Sequence, residues 1–260
     1  MVTGATGTLG RRLVGELARL GHEVIAATRR SGLTGPLANI RYVEIDLSTG
    51  LGLDAALAGV GAVIHSASDF RQPDQVDLAG FRLLDEAAEA DVHFIYPGIV
   101  GCDLIPAPYY KVKSACEHFL VEAPRPWTIL RATQFHQLIW GWYTRPCRNP
   151  FLFVPADTRY QVLDPLEMAR YLAGAAEAGP QGRMDDLGGP FAYDAEELAR
   201  SVQVASGGTR RVVAYNRPGI VGAALRAGAN LTPNRGSGET WNEFIARQLT
   251  RREARGARRD

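Results

Sequence analysis

Thr3-Gly4-Ala5-Thr6-Gly7-Thr8-Leu9-Gly10 follows a stub of apolar strand and precedes the helical pattern Leu13, Leu17, Leu20. Glycine is needed where a backbone turns tightly, where it comes close to a pyrophosphate, and where a helix packs on a strand; Gly4, Gly7 and Gly10 stand at those three offsets. A helix beginning near Thr8 presents free N–H groups and its positive dipole end, so Gly4, Thr6, Gly7, Thr8, Leu9 and Gly10 are expected to bind dinucleotide phosphates. Glycines at such spacing also occur in plain strand-to-helix turns. Here a strand lies before, an amphipathic helix after, and a second apolar run, Glu23-Val24-Ile25-Ala26-Ala27-Thr28, follows Gly21-His22. Only Met1 and Val2 precede Thr3, so the first strand is short, and a start at Met1 and a start further upstream are both compatible with the sequence.

The end of the second strand bears on which nicotinamide dinucleotide is favoured. An acidic residue there binds the adenosine ribose hydroxyls, whereas Arg neutralises a 2′-phosphate. The chain has Thr28-Arg29-Arg30 and no carboxylate beside them, which points to NADP(H), with Arg29 the first contact and Arg30 its solvated neighbour. Two surface loop arginines are the alternative.

Apolar strands alternate with helical patterns through the first half: Ile40–Ile45, Ala62–His65, His93–Tyr96 and Thr128–Leu130, with helix candidates at Leu53–Leu57, Val76–Ala90 and Tyr109–Val121 between them. Such alternation predicts an α/β fold, a doubly wound parallel (Rossmann) sheet with helices on both faces. Ligands of such sheets bind at the carboxyl ends of the strands. Asp46 and Leu47 follow the third strand, Ser66, Ala67 and Ser68 the fourth, a Pro97-Gly98 turn the fifth, and Arg131 to His136 the sixth. Beyond about Arg145 the rhythm loosens. Asp164-Pro165 with Glu167, and Asp194 with Glu197, read as helix starts; Arg211–Tyr215 reads as a strand, Pro218–Ala227 and Trp241–Leu249 as helices. The expected domains are therefore 1–145, which binds NADP(H), and 146–260, a small, mostly helical C-terminal lobe partly integrated with the sheet.

A net charge of +1 argues against a general nucleic-acid partner, although Arg247, Arg251, Arg252, Arg255, Arg258 and Arg259 against Glu253 and Asp260 make the C-terminal stretch +4 and the remainder −3. That tail reads as a solvated helix end, with nucleic-acid contact the minor alternative. Cys102, Cys116 and Cys147, and the five histidines, show no metal spacing; an odd, sparse cysteine count suggests a reducing compartment. With no long apolar run and no leader-like start, the expected location is cytoplasmic, with no membrane partner.

Tyr109-Tyr110-Lys111-Val112-Lys113 contains a Tyr-x-x-x-Lys, which on a helix sets Tyr109 and Lys113 on one face, a turn apart. An ammonium there lowers the phenol's pKa, and it can also hold the nicotinamide ribose. Because Pro106 and Pro108 come just before, Tyr109 opens the helix, and packing is the alternative to proton donation; Tyr110, three residues from Lys113, is the weaker candidate. With VTGATGTLG at 2–10, Thr28-Arg29-Arg30, YYKVK at 109–113 and PWTILRATQFH at 126–136, the chain resembles the short-chain dehydrogenase/reductase superfamily, and more narrowly its atypical, NmrA-like members, over essentially its whole length.

The resemblance implies a Ser, a Tyr and a Lys in cooperation: Ser orients a substrate carbonyl, Tyr gives it a proton, Lys lowers the Tyr pKa and grips the ribose. Tyr109 and Lys113 match. The serine is expected after the fifth strand, where Gly98 stands, so the complete triad is missing one member. The resemblance also implies that Asp46 and the backbone amide of Leu47 face the adenine, a loop cap being the alternative for Asp46; Ser66 and Ala67 are further cofactor candidates. Phe135, His136 and Trp140, with Trp142 and Tyr143, are expected to line a pocket for a flat small-molecule substrate, or else to pack in the core, and His136 is a candidate general acid or a loop hydrogen-bond partner. Three functions follow: an NADP(H)-dependent reductase of a carbonyl, quinone-like group or activated double bond; a non-catalytic NADP(H)-binding redox sensor; and an epimerase or dehydratase with the cofactor held permanently. A monomer and a homodimer are both compatible with the sequence.

Overall fold

A computed structural model of the chain describes residues 1–256, with side chains to residue 254; Arg258, Arg259 and Asp260 of the basic tail, and the side chain of Arg255, lie outside the described residues. In chain order the elements are β1 (Val2–Thr3), α1 (Gly10–Arg19), β2 (Val24–Thr28), β3 (Ile40–Glu44), α2 (Leu53–Leu57), β4 (Ala62–His65), a π-helical turn (Asp74–Ala79), α3 (Gly80–Ala87), β5 (His93–Ile99), α4 (Pro108–Glu122) and β6 (Trp127–Ala132). They continue as α5 (His136–Thr144), β7 (Phe151–Pro155), β8 (Arg159–Gln161), α6 (Pro165–Ala178), β9 (Gly182–Arg183), β10 (Ala192–Asp194), α7 (Ala195–Ser206), β11 (Arg211–Tyr215), α8 (Gly219–Arg226) and α9 (Trp241–Gly256).

The chain divides into two compact units. The first comprises Met1–Asp103, Ala107–Arg131 and Pro165–Asp186, the second Leu104–Pro106, Ala132–Asp164 and Leu187–Asp260. The division follows packing rather than a single cut near residue 145: Ala132–Asp164 joins the second unit, and Pro165–Asp186 returns to the first.

The first unit is a Rossmann fold, a seven-stranded parallel sheet in the order β3-β2-β1-β4-β5-β6-β9 with helices on both faces. Strands covered on both sides read as near-continuous apolar runs, and β4 and β5 are buried along almost their whole length. Helix α1 turns Leu13, Val14, Leu17 and Ala18 inward, the stripe expected of a helix on a sheet. Val2 pairs with Ala26 on one side and Ile64 on the other, so short β1 sits at the centre, where the strand order reverses. That reversal opens the crevice at the carboxyl ends of β1 and β4.

Several local expectations change. Pro97 and Gly98 lie within β5 rather than in a turn after it, because β5 runs on to Ile99. The helix expected over Val76–Ala90 is a π-helical turn continued by shorter α3. Helix α1 begins at Gly10, with Leu9 as its N-cap, rather than near Thr8. Asp194 stands at the N-cap of α7 but makes no side-chain cap bond.

The second unit has its own core, built on Leu152, Val154, Leu198, Val202, Trp241 and Phe244. Its strands form two small sheets, β11 parallel to β7 and β10 antiparallel to β8, and the rest of its regular structure is the helices α5, α7, α8 and α9 of a mostly helical lobe. No helix among the described residues is long and apolar enough to cross a membrane.

Candidate functional site

At the carboxyl ends of β1, β2 and β4 the first unit holds a cavity of about 480 Å3, lined by Gly4, Thr6, Gly7, Arg29, Arg30, Asp46, Leu47, Ser66, Ala67 and Ser68 among others. The glycine turn is shaped by close approach. Gly4 has φ +62, and a Cβ there would lie 2.7 Å from Ala67 Cα; a Cβ at Gly10 would run into the Gly4 carbonyl. No described residue accepts the N–H groups of Thr8 and Leu9, which head α1. Free N–H groups at a helix N-terminus, a glycine surface with no side chain in the way and two cavity-facing arginines suit a pyrophosphate and a further phosphate.

The floor of the cavity is stitched by side chains. Ser66 donates from Oγ to the Thr3 carbonyl at 2.6 Å, and Ala67 N–H donates to Thr3 Oγ1 at 3.2 Å. Asp46 accepts from the backbone N–H and the hydroxyl of Ser48, at 2.8 and 2.6 Å, which makes it a loop cap as well as a cavity wall. Those two bonds hold its carboxyl below the usual range, with a smaller contribution from Arg29.

Tyr109 and Lys113 lie on α4, one turn apart, and the ring of Tyr109 sits 5.5 Å from the Lys113 ammonium. The nearest charge to that ammonium comes from elsewhere. Lys113 Nζ is 2.7 Å from Asp77 Oδ1, and both side chains are buried. Asp77 belongs to the π-helical turn, a distortion that often re-aims a side chain at a functional site. Ser68 Oγ donates to Asp77 Oδ1 at 2.9 Å and lies 2.7 Å from Tyr109 Oη, while the Asp69 N–H donates to Asp77 Oδ2 at 3.1 Å. His65, wholly buried, contacts the Asp77 carbonyl through Nε2 at 3.1 Å and Thr3 Oγ1 through Nδ1 at 2.9 Å. Thus β1, β4, the π-helical turn and α4 are joined in one polar chain.

The electrostatic outcome departs from the sequence expectation. Burial raises the Tyr109 phenol above its ordinary pKa; Lys113 opposes this, but Asp77 reinforces it. Burial disfavours the Lys113 ammonium, yet Tyr109 and Asp77 more than offset that cost, so lysine stays charged. A cation already matched by a carboxylate does less to acidify a neighbouring phenol.

Gly98 has no room to be anything larger. A Cβ there would collide with Glu117 Oε1 and lie 3.0 Å from Arg131 Cγ. The space that a serine side chain would need is held by a buried ion pair: Arg131 Nη2 donates to Glu117 Oε2 at 2.6 Å and Nη1 to Asp103 Oδ1 at 2.8 Å.

The aromatic residues after β6 belong to the second unit. His136 is fully buried, its ring 5.9 Å from that of Trp241 and 5.0 Å from that of Phe244, with Nδ1 3.8 Å from Glu239 Oε2. Packing, not open access, describes it. Phe135 is the N-cap of α5 and bridges to Leu163, and Trp140 meets Phe244 edge-on at 6.0 Å. Trp140 and Tyr143 also line a cavity of about 870 Å3 with Arg145, Cys147, Gln203 and Arg210. The aromatic that meets Tyr109 is instead Phe70, 59% exposed, with ring centroids 4.2 Å apart. Sequence reasoning missed Phe70, Asp77 and the role of Ser68; no spacing rule links them to α4, and only the polar residues after β4 hinted at a second cluster there.

The pattern of the NAD(P)H-binding family matches residues 4–137, which spans β1 to the start of α5. The chain belongs to that family. The strand order β3-β2-β1-β4-β5-β6-β9 is the Rossmann arrangement such a nucleotide-binding segment requires. The (4-alkanoyl-5-oxo-2,5-dihydrofuran-3-yl)methyl phosphate reductase of Streptomyces griseus is 29% identical over 203 residues, 76% of this chain and 70% of that protein. The photosystem II assembly factor Ycf39 of Cyanophora paradoxa is 26% identical over 225 residues, 82% of this chain and 70% of that protein. In fold, the NADPH-dependent quinone oxidoreductase QOR2 of Escherichia coli, solved with NADPH, superposes with a TM-score of 0.73 at 19% identity, over 95% of this chain and 98% of that one.

Proposed function

We propose that the protein is an NADPH-dependent reductase of a small, flat carbonyl, quinone-like or activated double-bond substrate. The observation that carries the reading is the cavity wall itself: Arg29 and Arg30 line the same space as Gly4 and Gly7, at the end of β2, where an NAD-preferring site carries a carboxylate. Asp46, which lines the same cavity, is already engaged by Ser48.

The N–H groups of Thr8 and Leu9 take the pyrophosphate, Arg29 takes the 2′-phosphate, and the Leu47 amide with Asp46 borders the adenine. NADPH supplies the hydride. Tyr109 gives its hydroxyl proton to the substrate oxygen, Lys113 keeps positive charge beside the phenol, and Phe70 offers a ring face to a planar substrate.

Calorimetric titration with NADPH and NADH tests the cofactor. NADPH is expected to bind more tightly by about 1.5–3 kcal/mol, the worth of a hydrogen bond to a charged group, and Arg29→Ala to close that gap by weakening NADPH alone. Equal affinities in the parent chain would overturn the preference. For the chemistry, NADPH oxidation is followed with a panel of quinones and flat ketones; Tyr109→Phe should lower turnover far more than cofactor affinity.

A second reading, a nicotinamide-binding protein that signals or assembles without turnover, is favoured by two observations: glycine at position 98, and a lysine matched to Asp77. It requires that the whole panel leave NADPH unoxidised while NADPH still binds.

A further inference from the structure

Four polar groups converge beside the crevice with a pairing that the Tyr-x-x-x-Lys spacing does not contain. Asp77 Oδ1 receives both the Lys113 ammonium, at 2.7 Å, and the Ser68 hydroxyl, at 2.9 Å; Oδ2 receives the Asp69 N–H at 3.1 Å. A serine hydroxyl owns one proton. While Ser68 gives it to Asp77, its oxygen can only accept from Tyr109 Oη, 2.7 Å away, so donation runs from Tyr109 to Ser68 to Asp77. We propose that Asp77 competes with the Tyr109 phenol for the charge of Lys113, and that Ser68 is the hydroxyl that turns from Asp77 to Tyr109 when the phenol loses its proton. Both are positioning residues, and the proposal rests on the reading of Tyr109 as proton donor.

In the donating step the Tyr109 O–H bond breaks and an O–H bond forms on the substrate oxygen, the hydride coming from the reduced nicotinamide. Ser68 keeps its own proton throughout and changes only its direction. The turn is favourable because charge moves: a tyrosinate is a stronger acceptor than a carboxylate that still holds Lys113 and the Asp69 N–H. Ser68 is exposed and lines the cavity, so nothing packs its hydroxyl in one direction. Asp77, by contrast, is wholly buried and its backbone is held by His65, so its carboxylate cannot follow the charge. No hydroxyl is available from position 98, and the Gly98 space is closed by Glu117 and Arg131. The groups that face this cluster are Lys113 and Cys116 from α4, Asp77 from the π-helical turn, Ser68 and Asp69 from the loop after β4, His65 from β4 and Tyr96 from β5.

The test reads Tyr109 directly in the full chain without cofactor. The protein is labelled with 3-fluorotyrosine, the Tyr109 fluorine resonance is assigned by its loss in Tyr109→Phe, and its titration is followed by NMR. Asp77→Asn should lower the midpoint by about 1–3 pH units, because the Lys113 charge is then left to the phenol. Ser68→Ala should raise it by about 1 pH unit through loss of the donor to the tyrosinate, and Ser68→Thr, which keeps a hydroxyl, should restore it. An unchanged or raised midpoint in Asp77→Asn overturns the competition, since losing an aspartate that competes for Lys113 must acidify Tyr109. Should Asp77→Asn fail to fold by circular dichroism, the serine pair decides alone, and equal midpoints for Ser68→Ala and the parent overturn the proposal. Turnover of Tyr109→Phe at the parent rate would sink the proton-donor reading separately, without altering the titration.

Discussion

Position 98 separates a residue that is missing from one that is excluded. The Glu117 carboxylate and the Arg131 stem fill the volume next to the Gly98 Cα, and both side chains are buried. Adding the serine that the superfamily pattern expects would force that ion pair to move. Gly98→Ser should therefore destabilise the fold by about 1–3 kcal/mol, the usual cost of overpacking, visible as a lower denaturant midpoint with an unchanged slope. It should also fail to raise turnover. A stable Gly98→Ser with faster turnover would mean that the Glu117–Arg131 pair yields readily and that the site tolerates a hydroxyl on this side.

Helix α4 and the π-helical turn meet through one buried charge pair, and that pair governs how they stay together. Lys113→Met leaves the Asp77 carboxylate buried with only Ser68 and the Asp69 N–H, which should cost about 3–5 kcal/mol. Removing both charges in Lys113→Met with Asp77→Asn should recover much of the loss, because no charge is then stranded; equal losses in the single and double variants, by chemical denaturation, would contradict the pairing. The same two elements mark what the sequence could and could not convey. Strands β2 to β6 and helices α1, α2 and α4 announce themselves by period and by glycine or proline punctuation, and the phosphate turn by glycine spacing. The π-helical turn has no period of its own, so Val76–Ala90 read as plain helix. The Asp77–Lys113 contact is long-range, set by how the turn docks on α4, and no local pattern encodes it. Likewise Arg211–Tyr215 read as a strand while its partner β7 went unread, and the aromatic run from Phe135 to Tyr143 carried the same spacing whether it lined a pocket or packed a core.

Buried histidines tie the stability of the whole chain to pH. His65 takes no part in the core as a cation: burial lowers its pKa from 6.5 to about 4, against the pull of Asp77 and with the help of Lys113. His93, in contact with Thr128 Oγ1 at 2.8 Å, is lowered by burial in the same sense. The unfolded chain binds protons at these sites below about pH 6.5, whereas the folded chain does not protonate His65 until about pH 4. The unfolded state thus holds more protons across that window, and stability must fall as pH falls through it. For His65 the loss amounts to roughly 3 kcal/mol between the two ends. Asp103, whose carboxyl is disfavoured by burial but held below the usual range by Arg131, contributes in a different window, losing its share only as pH drops below about 4. The two contributions separate in His65→Gln, which keeps a polar group between Thr3 and Asp77 but cannot titrate. Unfolding free energies measured from pH 7 to pH 4 should slope downward toward acid in the parent chain and markedly less in His65→Gln, with both curves turning down together below pH 4. Parallel curves from pH 6.5 to pH 4 would mean that His65 protonates as easily folded as unfolded, and that the polar chain from Thr3 to Lys113 is open to water.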